Sequence, residues 1–355
     1  MSLPYLQPYF GLSNSLQTAQ AAGGGAGGIG GWVELGRTTA GSEVDKLLIT
    51  GIANKRYLMV LGDLDPNGST NVIFRFNEDT GTNYSWRFNQ NGGSDGTDVS
   101  RNLGIIHSSA YTTPFFNVNY ISNLSSKEKL YISNGVEQST AGAGTAPSRT
   151  ESVAKWANTS DAIDDVEQTN TTVGGYKTGS EVVVLGWDPA DTHTSNFWEE
   201  LASVENSGVT DNLSSGTFTA KKYLWVQFYL KPSGNNTQRL LTFNNDTGSN
   251  YSRRNSNAGG ADSTSTSQAN INLADSSGAE YGFYNMFIIN NSSNEKLGIL
   301  HSNVALATGA AAAPWRQEYA FKWTNTSSQI TEIDLTNAGA GVDYSISGMK
   351  VWGSD

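Results

Sequence analysis

The side chains best able to do chemistry are scattered along this sequence and do not converge. Three histidines occur, His107, His193 and His301, and none lies close in sequence to another. The acid pairs Asp164-Asp165 and Glu199-Glu200 are adjacent, so on a strand their two carboxylates point to opposite faces. With no cysteine, thiolate zinc sites, disulfides and cysteine nucleophiles are excluded. The glycine run at 23–31 lacks the flanking strand and the Lys-Ser/Thr of a phosphate loop. Glycosidases of the sandwich type set two carboxylates across a cleft, and the sequence neither identifies nor removes such a pair. The expectation is a protein that is not an enzyme, with polysaccharide cleavage as the third reading.

The most distinctive motif is Phe-Asn-x-Asp-Thr-Gly-x-Asn-Tyr, present at 76–84 and again at 243–251. Asn and Asp tolerate left-handed backbone and cap turns with their own side chains, while Gly supplies positive φ. The favoured reading is a tight turn between two strands, anchored by the flanking aromatics. The other is an oxygen-rich cation site, in which Asn77, Asp79 and Asn83, with Asn244, Asp246 and Asn250, offer ligands to Ca2+. The spacing lacks the closing bidentate Glu of a calcium loop, so no cofactor is expected and Ca2+ is the lesser alternative.

These motifs sit inside an internal duplication. Trp32-Val33-Glu34-Leu35 returns as Trp198-Glu199-Glu200-Leu201, 166 positions later. Lys55-Arg56-Tyr57-Leu58 returns as Lys221-Lys222-Tyr223-Leu224 in the same register. After one added residue near Pro232-Ser233-Gly234 the offset becomes 167 and holds to the end, where Lys155-Trp156 matches Lys322-Trp323. A single register over that distance means duplication. It predicts an arm at 1–31, a first domain at 32–188, a linker at 189–196 and a second domain at 197–355.

The duplication also sorts the aromatics. Trp32/Trp198 and Trp156/Trp323 are matched, as core residues would be. Trp86 stands opposite Arg253 and Trp315 opposite Ser148, so the shared fold demands neither. Trp86 and Arg87, with Trp315, are therefore the candidates for exposed glycan or subunit contacts. His107 aligns with Ala274 and His301 with Asn134, which further separates the histidines from any shared site.

Each copy reads as strands and turns. Leu224, Val226, Phe228 and Leu230 alternate with Trp225, Gln227 and Tyr229, a period of two. Pro66-Asn67-Gly68 and Pro232-Ser233-Gly234 close such runs with turn chemistry, and return strands follow at Val72–Phe76 and Arg239–Phe243. Further strands are predicted at 115–121, 128–133, 151–157 and 181–187. Together these indicate an all-β chain of two tandem jelly-roll-like β-sandwiches behind an extended arm. First and last strands that neighbour one another would suit head-to-tail copying.

The arm is different in kind. Tyr5, Leu6, Tyr9, Phe10, Leu12 and Leu16 are apolar, Pro4 and Pro8 disfavour one helix, and the glycines that follow form a tether. This reads as a docking peptide. No Lys or Arg precedes Arg37, so the segment is not expected to direct export. The net charge of −11 is the wrong sign for gripping nucleic acid. No apolar run is long enough for a membrane-spanning helix, and the absence of cysteine suits a reducing cytoplasm.

With the Asp-Thr-Gly-x-Asn-Tyr turns, the Tyr-Leu-x-Val strands and the Pro-Tyr-Leu arm, the sequence resembles virion structural proteins of tailed, marine-type bacteriophages, of the appendage, fibre or head-decoration kind. The resemblance implies docking on capsid or tail subunits through the arm, homo-oligomers that are often trimers, and a location on the virion after assembly in the host cytoplasm. It transfers no binding residue. The rival reading is a glycan-binding adhesin for a host surface, with avidity from two linked sites.

Overall fold

The computed structural model describes residues 31–170, 175–191, 195–234, 239–273, 281–305, 307–338 and 343–355. Twelve strands build the first half: β1 (Val33–Thr39), β2 (Lys46–Ile49), β3 (Tyr57–Leu64), β4 (Thr70–Phe76), β5 (Tyr84–Gln90), β6 (Gly96–Arg101), β7 (Gly104–Tyr111), β8 (Phe115–Ser122), β9 (Lys129–Glu137), β10 (Ser148–Trp156), β11 (Val166–Thr169) and β12 (Glu181–Trp187). The second half repeats them as β13 (Glu199–Asn206), β14 (Asn212–Ser214), β15 (Tyr223–Pro232), β16 (Arg239–Phe243), β17 (Tyr251–Asn257), β18 (Ser263–Gln268), β19 (Ile271–Asn272), β20 (Gly282–Ile289), β21 (Lys296–Val304), β22 (Trp315–Trp323), β23 (Ile333–Asn337) and β24 (Tyr344–Ser354). The chain is all-β, and no helix among the described residues is long and apolar enough to cross a membrane.

Each half is a sandwich of an eight-stranded and a four-stranded sheet. The first has the orders β1-β12-β3-β8-β9-β10-β5-β6 and β2-β11-β4-β7; the second repeats both, strand for strand. The first and last strands of each half are antiparallel neighbours, β1 with β12 and β13 with β24. The expected alternation holds at β15, whose Leu224, Val226, Phe228 and Leu230 enter the sandwich core. In the first half Leu58, Val60 and Leu64 do the same opposite Val72, Phe74 and Phe76.

The strands after Pro66-Asn67-Gly68 and Pro232-Ser233-Gly234 form where the sequence places them, but they are not hairpin partners of β3 and β15. They lie in the opposite sheet. Two strongly apolar strand faces bury more surface by meeting across a sandwich than by lying side by side on one face.

The outer faces of the two eight-stranded sheets are also buried, against each other. Met59, Leu61, Phe116, Val118, Val136, Val183 and Leu185 of the first half pack with Phe197, Trp198, Tyr223, Phe287, Ile289, Leu297, Ile299 and Ala320 of the second. Each Val, Leu, Ile, Phe or Met among them, fully buried, contributes about 1.5–3 kcal/mol relative to exposure. Trp198, with Trp32 packed at its margin, belongs to this layer between the sandwiches. Trp156 and Trp323 alone of the matched pairs lie inside the sandwich cores. On either side of residues 192–194 the chain is held in place: Lys55 pairs with Asp191, and the Phe197 N–H donates to the Trp32 carbonyl at 2.7 Å.

Candidate functional site

The duplicated motif connects the two sheets of each sandwich. β4 ends at Phe76 and β5 begins at Tyr84 in the opposite sheet. Asn77 and Glu78 take the left-handed backbone, with φ of 51° and 48°, and Asn244 and Asn245 repeat it. The Asn77 side-chain oxygen accepts the N–H groups of Asp164 and Asp165 at 3.0 and 3.2 Å, which staples the turn to the strand entering β11. One Asp79 carboxylate oxygen accepts the Gly81 N–H at 2.7 Å. The other accepts the Asn83 amide at 2.8 Å and the Trp156 indole N–H at 2.6 Å.

The second copy is built in the same way. Asp246 holds the Gly248 N–H at 2.8 Å, the Asn250 amide at 2.8 Å and the Trp323 indole at 2.7 Å. Asn244 accepts the N–H groups of Thr331 and Glu332. Tyr84 and Tyr251 fold back so that their hydroxyls accept the N–H of Phe76 and Phe243. Partial burial alone would raise both Asp carboxyls, yet these hydrogen bonds hold them below the usual carboxylate range. The six residues Asn77, Asp79, Asn83, Asn244, Asp246 and Asn250 thus form a clasp locking a core tryptophan. The side-chain oxygens of Asn77, Asp79, Asn244 and Asp246 accept N–H groups of their own chain, and a cation on either carboxylate would have to compete with an indole. Among the described residues no group of three or more His, Asp or Glu is placed to hold a metal.

The unmatched tryptophans turn inward, correcting the expectation of exposed aromatics. Trp86 is half-buried and packs against both the main core of the first sandwich and a small cluster of Ile73, Phe88 and Ile105. On β5 it shares a face with Tyr84 and Phe88, which are buried. Trp315 packs against the core of the second sandwich. Arg87, on the other face of β5, is exposed and pairs with Asp95 at 3.1 Å. Both tryptophans are half-buried, each with part of its surface packed on a sandwich core. The arm residues Tyr5, Leu6, Tyr9, Phe10, Leu12 and Leu16, and His193, lie outside the described residues.

His107 is enclosed by Phe88, Tyr111 and Phe115, with its Nε2 3.5 Å from Glu137. His301 stands on β21 of the second half, where burial and the nearby guanidinium groups of Arg149 and Arg316 lower it to about 4. His107 and His301 belong to different strands of different halves and have different partners, in keeping with their separate places in the repeat alignment.

Sequence reasoning missed the charged groups between the sandwiches. The Lys222 ammonium lies 3.1 Å from both Asp63 and Glu181. Glu181 also accepts from Thr39 at 2.6 Å, Arg37 at 3.0 Å and the Tyr223 hydroxyl at 2.8 Å. Burial raises the Asp63 carboxyl, and Lys222 and Asn291 offset this only in part. Burial would raise Glu181 too, but its hydrogen bonds and Lys222 bring it below the ordinary value. At the other end Arg149 pairs with Asp262 at 2.7 Å and Glu318 at 3.1 Å, as well as with Glu151. Lys322 donates to the carbonyls of Gln138 and Thr140. The available signal was the pair of apolar runs Tyr57–Leu61 and Val182–Leu185, too continuous for a strand with one wet face.

One depression, about 370 Å³, opens on the outer face of the first four-stranded sheet. Its charges neutralise one another: Lys46 pairs with Glu78 at 3.1 Å and Arg75 with Glu167 at 3.1 Å. At the equivalent positions the second half carries Asn212, Asn245, Thr242 and Asp334, so the arrangement is not repeated.

No protein-family model matches this chain, and no curated protein matches it. Among solved structures, mouse laminin α1 domains LG4-5 are similar at 11% identity, covering 86% of this chain and 83% of that one, with a TM-score of 0.21. The LG1-3 region of laminin α2 is similar at 7% identity, covering 85% and 68%, with a TM-score of 0.21. Pseudomonas aeruginosa OpdQ, at 7% identity, covers 84% and 98% with a TM-score of 0.12.

Proposed function

We propose that this chain is a non-enzymatic structural protein of a virus particle, a decoration, fibre or tail-appendage subunit whose N-terminal segment docks on a capsid or tail protein while the two sandwiches are displayed as one rigid body. The observation that carries the structural reading is the use made of the buried charges. Perturbed ionisable groups in an enzyme gather in a cleft around a reacting atom. Here Asp63, Glu181, Lys222, Arg149, Asp262 and Lys322 join one sandwich to the other, and the motif carboxylates Asp79 and Asp246 hold core indoles. The docking role rests on the apolar, aromatic and proline-bearing sequence of residues 3–16 and its glycine tether.

Removing residues 1–31 tests the proposal. The truncated chain should keep its circular dichroism and melting temperature yet fail to enter particles assembled in infected or co-expressing cells. Incorporation at the level of the full chain overturns the docking role.

A further inference from the structure

We infer that further copies of this chain add head to tail, the second sandwich of one copy seating on the outer face of the first sandwich of the next. The inference rests on how the internal contact uses the two halves, and it stands independently of the virion reading.

The contact between the sandwiches is not self-complementary. Phe116 of the first half meets Tyr223 of the second, with ring centroids 6.5 Å apart. A two-fold contact would also bring their repeat counterparts Phe283 and Tyr57 together. Instead Phe283 is 43% exposed and Tyr57 37%, against 1% for both Phe116 and Tyr223. The two halves therefore present different faces to each other, and each keeps the face that the other has used.

The unused face on the first half is apolar. Ile132 lies between Tyr120 and Val153 across β8, β9 and β10, with Leu130 two residues away on the same face. Leu130, Ile132 and Val153 are 57%, 52% and 47% exposed. Their counterparts Leu297, Ile299 and Ala320 hold the same register on β21 and β22 and are 5% exposed or less, covered by the first sandwich. Exposed aliphatic residues at three matched positions are the surface that a sandwich of this chain already covers once. The patch continues into the existing interface through Tyr120.

The unused face on the second half carries Phe283 beside Tyr229, with Tyr281 just ahead of β20. It is more polar than its first-half equivalent, since Asn285, Asn303 and Lys350 stand where Val118, Val136 and Val183 stand. The contact between copies is accordingly weaker than the one within a copy. A heterologous contact of this kind closes into a ring or continues as a filament, according to its rotation.

Sedimentation velocity of the full chain over a concentration series tests this. The wild-type chain should form species larger than a monomer, and Ile132→Glu and Phe283→Glu should each weaken association by at least about tenfold. Both positions are exposed, so melting temperatures should be unchanged, which separates lost association from lost folding. An equimolar mixture of the two variants should give a 1:1 dimer and nothing larger, because one intact face remains on each. A wild-type monomer at every concentration, or a mixture that stays monomeric, overturns the inference. So does association that survives both substitutions and disappears when residues 1–31 are removed, which would assign the patch to the arm.

Discussion

Within the first sandwich a buried amide network fills the space between β3, β8 and β11. Asn117 accepts from the Asn119 amide at 2.6 Å and the Gln168 amide at 2.9 Å, and the Tyr131 hydroxyl donates to Asn119 at 2.7 Å. Gly62 makes this possible, because a Cβ there would lie within 2.5 Å of both Asn117 and Gln168. The second sandwich puts Tyr284, Met286, Leu335 and Phe228 at those positions, with the rings of Phe228 and Tyr284 stacked at 4.5 Å. A second exchange runs beside it. Tyr131 sits opposite Ala154 in the first half, and Gly298 opposite Phe321 in the second. The aromatic ring is supplied from the other strand, and the facing residue shrinks to admit it. The clasp, by contrast, keeps its main bonds in both halves, with the glycine N–H, the asparagine amide and the tryptophan indole all donating to the aspartate carboxylate. The comparison teaches that this fold depends on the clasp, whereas its interior needs only a filled volume with its polar groups satisfied.

The largest effects should come from breaking what the halves share. Trp156→Ala and Trp323→Ala should each lose about 3–5 kcal/mol in chemical denaturation, from the lost burial and the cavity left behind. A small loss at either position would mean that the clasp is not required there. Next is the contact between the halves. Arg149→Met leaves the buried Asp262 carboxylate without its cation, while Glu318 keeps Arg316, and should cost about 3–5 kcal/mol, read as a lower melting temperature of the full chain.

The exchange of rings offers a smaller, reversible test. Gly298→Tyr drives a side chain into Phe321, whose ring already lies 2.0 Å from an ideal Cβ. It should cost about 1–3 kcal/mol by overpacking. Adding Phe321→Ala should restore most of that loss if the two strands share one volume; no recovery would show that the halves differ in backbone as well.

The smallest effect concerns His301. Its folded value of about 4 lies below the 6.5 of a free imidazole, so between these the unfolded chain takes up a proton that the folded one refuses. This group therefore removes stability as pH falls from about 6.5 to about 4. His301→Asn, which installs the first-half residue, should flatten that slope in melting curves, and an unchanged slope would show that His301 does not titrate this way.

Much of this was legible in the chain itself. The duplication, the strands at 115–121, 151–157 and 181–187 and the two turn motifs are written in local spacing and turn chemistry. The face of β5 that carries Trp86 was legible too, since Tyr84, Trp86 and Phe88 alternate with Ser85, Arg87 and Asn89 and so place the tryptophan on the apolar side. Comparing the copies wrongly suggested exposure there: Trp86 lacks a matched partner because each sandwich fills its core with its own set.

The sequence by itself determined that the chain is a doubled all-β protein, and that Asp79 and Asp246 close turns. These properties depend on neighbours a few residues apart and on a repeat readable at sight. Only the tertiary structure decided that β3 and β4 join opposite sheets, that the indoles of Trp156 and Trp323 complete the clasps from 77 residues away, and that the outer faces of the large sheets are buried on each other. Those outcomes depend on where apolar surface finds a partner, and surface burial joins residues by shape and area whatever their distance along the chain.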